Sequence, residues 1–148
     1  MEEKIEIKED EIYVLVKVHL EMHEFSGFYR KEEIEDVYKN REKLILTAYI
    51  GGVPVGYLIG YDKYLDGSFY CWMTGVKGEF RRRGVLTQMM NYFSQWAMKK
   101  GYEKITLKTR NNRREMLAYL IKNNFYVKNV EINPAIEENK ILFERNLI

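Results

Sequence analysis

The stretch Val76-Lys77-Gly78-Glu79-Phe80-Arg81-Arg82-Arg83-Gly84-Val85-Leu86-Thr87-Gln88-Met89-Met90 constrains this chain more than any other. It reads as the end of a strand, a basic turn and the start of a helix. Leu86, Met89, Met90, Phe93 and Ala97 recur at helical spacing and predict one buried face. Arg81, Arg82, Arg83 and Gly84 fall where the first N–H groups of that helix, those of Val85, Leu86 and Thr87, lack intrahelical partners. Orphan N–H groups at the positive end of a helix dipole form an anion site. Gly84 has no Cβ, so a ligand can approach its backbone closely. Arginine adds a fixed charge and a forked donor that suits phosphate. The physical reading is a diphosphate cradle at a helix N-terminus.

Composition removes several other classes. A chain of 148 residues with 46% apolar and 31% charged residues suits one soluble domain with a real core, taken here as residues 1–148. A formal net charge of +2 is too small to announce a nucleic-acid partner. The single cysteine, Cys71, excludes an internal disulfide framework and any multi-cysteine metal site. The start, Met1-Glu2-Glu3-Lys4, is acidic and does not read as a signal peptide, and no apolar run approaches the ~20 residues that span a bilayer. The expectation is a cytoplasmic protein with no membrane and no nucleic-acid partner.

Taken in order, residues 4–8 alternate charged and apolar positions, as a half-buried strand does. Residues 9–22 predict a helix with Ile12, Leu15, Val16, His19 and Leu20 on one face. An aromatic loop follows over residues 24–30. A short helix is predicted over residues 31–40, with Ile34, Val37 and Tyr38 inward. Residues 44–50 and 53–61 read as strands joined by Gly51-Gly52, a hairpin signal. The run Gly51-Gly52-Val53-Pro54-Val55-Gly56 lacks dinucleotide-binding spacing and opens no helix. A third strand spans residues 68–76 and ends at the basic turn. The helix after Gly84 runs to about Lys99, with Gly101 at its C′ position. A strand over residues 104–109 precedes a helix over 113–123, for which Asn111-Asn112 offers an N-cap and Asn124 a left-handed C-cap. That helix buries Met116, Leu117 and either Leu120 or Tyr119. Strands over 125–132 and 140–147 close the chain. The order is β-α-α-β-β-β-α-β-α-β-β.

Arg81-x-x-Gly84-x-Leu86 resembles the acyl-CoA pyrophosphate loop of the GNAT superfamily of N-acetyltransferases, and the element order is similar to that fold from end to end. Val76-x-x-Glu79-Phe80 resembles the family's lead-in, with Gly78 where a proline is common. Leu86 stands where the family has a small residue, and Asn124-Phe125 where it usually has Gly-Phe. The resemblance implies an α/β (α+β) fold with a mixed, mostly antiparallel central sheet flanked by helices. It implies an acetyl-CoA-dependent N-acetyltransferase that acts on a primary amine of a small molecule or peptide, without a metal. A non-catalytic acyl-CoA-binding or regulatory module of the same fold is the alternative. A homodimer is left open.

The resemblance also implies site residues. The strand before the cradle would expose main-chain groups of Met73, Thr74, Gly75 and Val76 to the pantetheine arm, and Gly75 fits a bulge. Asn112 resembles an asparagine that meets the cofactor, or is a plain N-cap. A tyrosine in the last helix commonly protonates the leaving thiolate. Counted back from Phe125, its usual position falls on Leu120, and Tyr119 lies one residue earlier. Tyr119 therefore stands either as that acid or as a packing tyrosine. No acid occurs in residues 69–76, so the general base is a water chain, His23 or Glu24. His19 and His23 lie one helical turn apart without an obvious third metal ligand, which favours a packed His19 and a solvated His23. Cys71, between Tyr70 and Trp72, reads as buried filler. The acceptor pocket is expected from the loops at residues 24–31, 61–67 and 133–139, with His23, Glu24, Phe28 and Tyr29 as tentative substrate contacts.

Overall fold

The computed structural model describes residues 4–22 and 30–147. The elements are β1 (Ile5–Glu9), α1 (Ile12–Leu20), α2 (Lys31–Val37), β2 (Lys43–Ile50), β3 (Val53–Tyr61), β4 (Ser68–Val76), α3 (Val85–Lys99), β5 (Lys104–Arg110), α4 (Arg114–Lys122), β6 (Tyr126–Glu131) and β7 (Lys140–Asn146). Single 3-10 turns occupy Gly78–Phe80 and Ile136–Glu138. This is the element order read from the sequence. The strands form one sheet in the order β1-β2-β3-β4-β5-β7-β6. Every neighbouring pair is antiparallel except β4 with β5.

Local chemistry explains the punctuation. Gly51 and Gly52 both take positive φ, 58° and 79°, as the tight hairpin between β2 and β3 requires. Gly101 at φ 96° ends α3, and Asn124 at φ 66° ends α4. The expected asparagine N-cap of α4 does not form. Arg113 occupies the cap position and no side chain caps the helix. The Asn112 amide donates instead to Glu138 Oε1 at 3.2 Å, and Asn111 donates to the Ile136 carbonyl at 3.1 Å. Arg113 falls at the cap position, and the two asparagine side chains are tied to the 132–139 turn instead.

Two cores sit on opposite faces of the sheet. On one face α3 and α4 cover Leu44, Leu46, Ala48, Leu58, Phe69, Cys71, Ile105, Leu107 and Phe143. On the other, α1 and α2 cover Ile45, Tyr57, Ile59, Tyr61 and Tyr70. The buried stripe of α1 is Ile12, Leu15 and Val18, and Leu20 is 57% exposed, so the expected inward face was rotated by part of a turn. In α2 Ile34 is buried, Tyr38 just beyond it is also buried, and Val37 faces outward. Both helices are short, and a few apolar residues on every side leave their periodicity ambiguous.

The approach of α3 to the sheet depends on two glycines of β3. A Cβ at Gly60 would lie 2.4 Å from Cε2 of Phe93 and 2.8 Å from the Tyr70 carbonyl. A Cβ at Gly56 would lie 3.0 Å from the Gly75 carbonyl, 3.2 Å from Val85 and 3.3 Å from Met89. Those absent side chains let α3 lie close over β3 and set where its first turn falls. Gly60→Ala is therefore expected to cost about 1–3 kcal/mol by overpacking. Gly78→Ala, whose Cβ meets nothing within 4 Å, is expected to be near neutral. Thermal denaturation of both variants checks this, and equal melting temperatures would refute the packing account.

Candidate active site

The sheet opens at one seam. β4 and β5 pair in parallel from Ser68↔Lys104 to Cys71↔Leu107 and no further. Beyond that point β4 continues to Val76 on β3, and β5 continues to Arg110 on β7. Each strand is held on its outer edge, so the inner edges part without unravelling. A bulge coincides with the parting: Ile59 pairs with Met73 and Gly60 with Cys71, which leaves Trp72 as an extra residue in β4. The bulge expected at Gly75 is thus at Trp72, and Gly75 pairs regularly with Tyr57. Trp72 and Met73 both pack toward the α1/α2 core, because the extra residue breaks the alternation. Two large residues in succession are the one trace of this in the sequence.

The basic turn lies at the open end of the seam. Arg82 at φ 62° and Gly84 at φ 83° are both left-handed and curl the main chain into α3. Gly84 is the N-cap of α3, no side chain caps the helix, and its first turn has no acid. The N–H groups that start α3 are therefore uncompensated by any local carboxylate. A Cβ at Gly84 would meet nothing within 4 Å, so the space over the turn is open.

The three arginines have separate structural attachments. Arg81 Nε donates to the Val76 carbonyl at 3.2 Å and clips the turn to the end of β4. Arg82 Nη2 donates to Glu115 Oε1 at 3.3 Å, linking the turn to α4. Arg83 stacks 5.3 Å from the centroid of Phe80. Leu86 turns into the core and does not fill the turn.

Tyr119 reaches this region while its neighbour does not. Leu120 is fully buried. The Tyr119 hydroxyl is 3.1 Å from Thr87 Oγ1 in the first turn of α3. The phenol lies against the start of α3. Asn112 is exposed and sits at the same end, tied to Glu138. Thr74 Oγ1 donates to the Tyr57 carbonyl at 2.9 Å, which fastens β4 to β3 just past the bulge.

The opposite face carries the aromatic groups. Tyr61, Tyr64, Tyr70 and Trp72 form edge contacts with centroids 5.8–5.9 Å apart. The 61–67 turn connects to the start of β4, at the closed end of the seam, and folds Lys63 and Tyr64 over Tyr70. The 132–139 turn adjoins the open end through Asn111 and Asn112. An ion pair between Lys77 and Glu21 fastens the end of α1 to the residue after β4, and Lys77 holds the Glu21 carboxyl below the usual carboxylate range. His23, Glu24, Phe28 and Tyr29 lie outside the described residues. His19 is half-buried, its Nδ1 2.6 Å from the Tyr57 hydroxyl, and burial raises the pKa of that phenol.

Comparisons with known proteins follow this geometry. The family model described as "Acetyltransferase (GNAT) family" matches residues 13–125. No curated protein matches the chain. Among solved structures, Ard1 from Thermoplasma volcanium superposes with a TM-score of 0.79 at 18% identity, over 97% of this chain and 98% of that one. The PaiA N-acetyltransferase from Thermoplasma acidophilum, solved with coenzyme A, gives 0.77 at 16% identity, covering 97% and 99%. Naa50 from Arabidopsis thaliana, solved with the bisubstrate analogue CoA-Ac-MVNAL, gives 0.77 at 16% identity, covering 95% and 97%. At these identities the likeness is one of fold.

Cys71 lies at the last pair of the seam but faces the α3/α4 core, and burial pushes its thiol up to about 12. Only the thiolate is nucleophilic. The native protein should therefore resist alkylation by iodoacetamide at pH 8 and react once denatured. Rapid stoichiometric labelling of the native protein would contradict this placement.

Proposed function

The chain belongs to the acetyltransferase (GNAT) family, and from that membership we propose that it is an acetyl-CoA-dependent N-acetyltransferase acting on a primary amine. The observation that carries the proposal is the open β4–β5 seam beside an uncapped helix start, with the Tyr119 hydroxyl 3.1 Å from Thr87 at that start. The residues of the turn fit a diphosphate. Gly84 leaves open space, the first turn of α3 carries no acid, and Arg81, Arg82 and Arg83 add positive charge. The N–H groups of Val85, Leu86 and Thr87 are the donors such a group requires. The inner edge of Met73, Thr74, Gly75 and Val76 offers main-chain groups to an extended arm. Asn112, at the same end, is a polar neighbour for the remainder of the cofactor.

Acetyl-CoA supplies the acyl thioester, whose carbonyl carbon bonds to the amine nitrogen as its sulfur leaves. The amine must arrive neutral and gives up a proton, and water or the 23–24 segment is the base we assign to it. Tyr119 holds the proton for the departing sulfur, and Thr87 orients the phenol by sharing its hydrogen bond. That PaiA was solved with coenzyme A and Naa50 with the bisubstrate analogue CoA-Ac-MVNAL supports the reading of a coenzyme-A-dependent transferase.

Two variants test this reading. Gly84→Val places a side chain in the open turn and strains a left-handed position, which costs about 1–3 kcal/mol. It should remain folded by circular dichroism and lose coenzyme A binding by calorimetry. Retained binding would move the cradle elsewhere. Tyr119→Phe keeps the ring and removes the hydroxyl. It should lower kcat by roughly 10²–10⁴ with coenzyme affinity nearly unchanged. Full turnover in that variant, where chemistry limits the rate, would make Tyr119 structural. Tight coenzyme binding without turnover on any amine would favour the non-catalytic module.

A further inference from the structure

The α1/α2 face of the seam carries a cation, Lys63, that forms no ion pair among the described residues. Lys63 is half-buried, its Nζ 4.6 Å from the ring centroid of Tyr70 and 5.5 Å from that of Tyr64. Its backbone is fixed, since Arg41 Nη1 donates to the Lys63 and Asp62 carbonyls at 3.3 and 3.2 Å. The nearby acids are engaged elsewhere. Asp62 accepts from the Leu65 amide and the Tyr102 hydroxyl, and Asp66 accepts from the Ser68 amide and hydroxyl. Glu131 is bound to Lys108 at 3.0 Å. Burial lowers the pKa of Lys63, and Lys108 and Lys140 lower it further against an opposing pull from Glu131. Lys108, Lys140 and Glu131 thus all act on the Lys63 ammonium.

A second feature stands beside it. Thr106 pairs with Tyr70 across the parallel ladder, so both project from the same face. Thr106 is 1% exposed and its Oγ1 has no hydrogen-bond partner. A buried donor without an acceptor is uncommon in folded proteins. Lys108, two residues on, shares that face where the seam opens opposite Trp72.

We infer that Lys63 receives an anionic group carried by the acceptor, so that the preferred substrates are primary amines bearing a carboxylate at a set distance. This rests on the transferase reading above. In this proposal the reacting nitrogen sits at Trp72, where the seam opens, and Tyr70 is two residues earlier, roughly 7 Å along a strand. At ~1.2 Å per bond of extended chain, the carboxylate lies about six bonds from the reacting nitrogen. A carboxylate there meets the Lys63 ammonium. A diamine would instead bring a second positive charge against three lysines.

The test measures kcat/KM by thiol release for ω-aminobutanoate, ω-aminopentanoate and ω-aminohexanoate, for the alkylamines of matching length and for diaminopentane. The unmodified protein, Lys63→Met and the remote surface control Lys99→Met are compared. The amino acids should exceed their alkylamine counterparts by about tenfold or more, as one charge-assisted contact allows. The preference should peak near ω-aminopentanoate, place diaminopentane last, and fall toward unity in Lys63→Met but not in Lys99→Met. Equal rates for the two series, a preference for the diamine, or a carboxylate preference that survives in Lys63→Met would overturn the inference while leaving the transferase reading intact. Coenzyme binding without thiol release on any amine would overturn both.

Discussion

The short parallel ladder between β4 and β5 is the constraint on which the other features depend. It consists of Ser68↔Lys104 through Cys71↔Leu107, and parallel pairing is slightly weaker per residue than antiparallel pairing. The extra residue Trp72 bends β4 where the ladder stops. Because β3 and β7 hold the outer edges, the sheet tolerates a gap in its middle. A continuous ladder would have consumed the main-chain groups of Met73 to Val76 and sealed the passage from one face to the other. Buried backbone groups must find partners, so an edge left open inside a sheet is one that a ligand can complete.

The helix α3 converts that gap into a place for charge. Gly56 and Gly60 let Val85, Met89 and Phe93 sit close on β3, which fixes the helix over the sheet. Its start therefore falls at the open end of the seam, with its N–H groups uncapped. The arginines of the turn serve its shape as well as its charge. Arg81 clips β4, and Arg83 rests beside Phe80. The Arg82–Glu115 pair is fully exposed and contributes little by itself, since surface pairs are worth ~0–1 kcal/mol. The positive character of the turn is thus carried by a backbone that packing has already set.

The two faces divide the labour we assign to them. The α3/α4 face carries the turn, Thr87 and Tyr119. The α1/α2 face carries Trp72, Tyr70 and Lys63. The seam joins them at Cys71 and Leu107, whose side chains belong to the α3/α4 core and seal its closed end. In the proposed reading this separation brings cofactor and acceptor from opposite sides of the sheet. On the reading we propose, acceptor preference falls to the second face, where the 61–67 turn folds Lys63 over Tyr70.

Much of this was legible in the chain, because it is written in local chemistry. Period-two runs marked the strands, Gly51-Gly52 marked the hairpin, and the Arg81-to-Gly84 turn ahead of Leu86, Met89 and Phe93 marked the helix start. Gly84 and Asn124 were readable because few residues take a positive φ cheaply. The seam was not readable, since a parallel register joins residues some thirty-six positions apart and depends on what β3 and β7 hold. The bulge at Trp72 looked like ordinary alternation, and Gly75 drew attention that belonged three residues earlier. Asn112 looked like a cap, but the helix begins one residue later, with Arg113 at the cap position, and the Asn112 amide is tied to Glu138. Tyr119 against Leu120 could not be settled by counting, because the rotation of α4 is fixed by Leu117 and Leu120 in the core. Lys63 was one lysine among many in the chain. Among the described residues no carboxylate pairs with it, because each nearby acid has been drawn to another partner. The sequence by itself determined which segments form and where a helix begins beside a basic turn, because those follow from neighbours along the chain. Tertiary structure decided which edges stay open and which charges stay unmatched, because those follow from neighbours across the sheet.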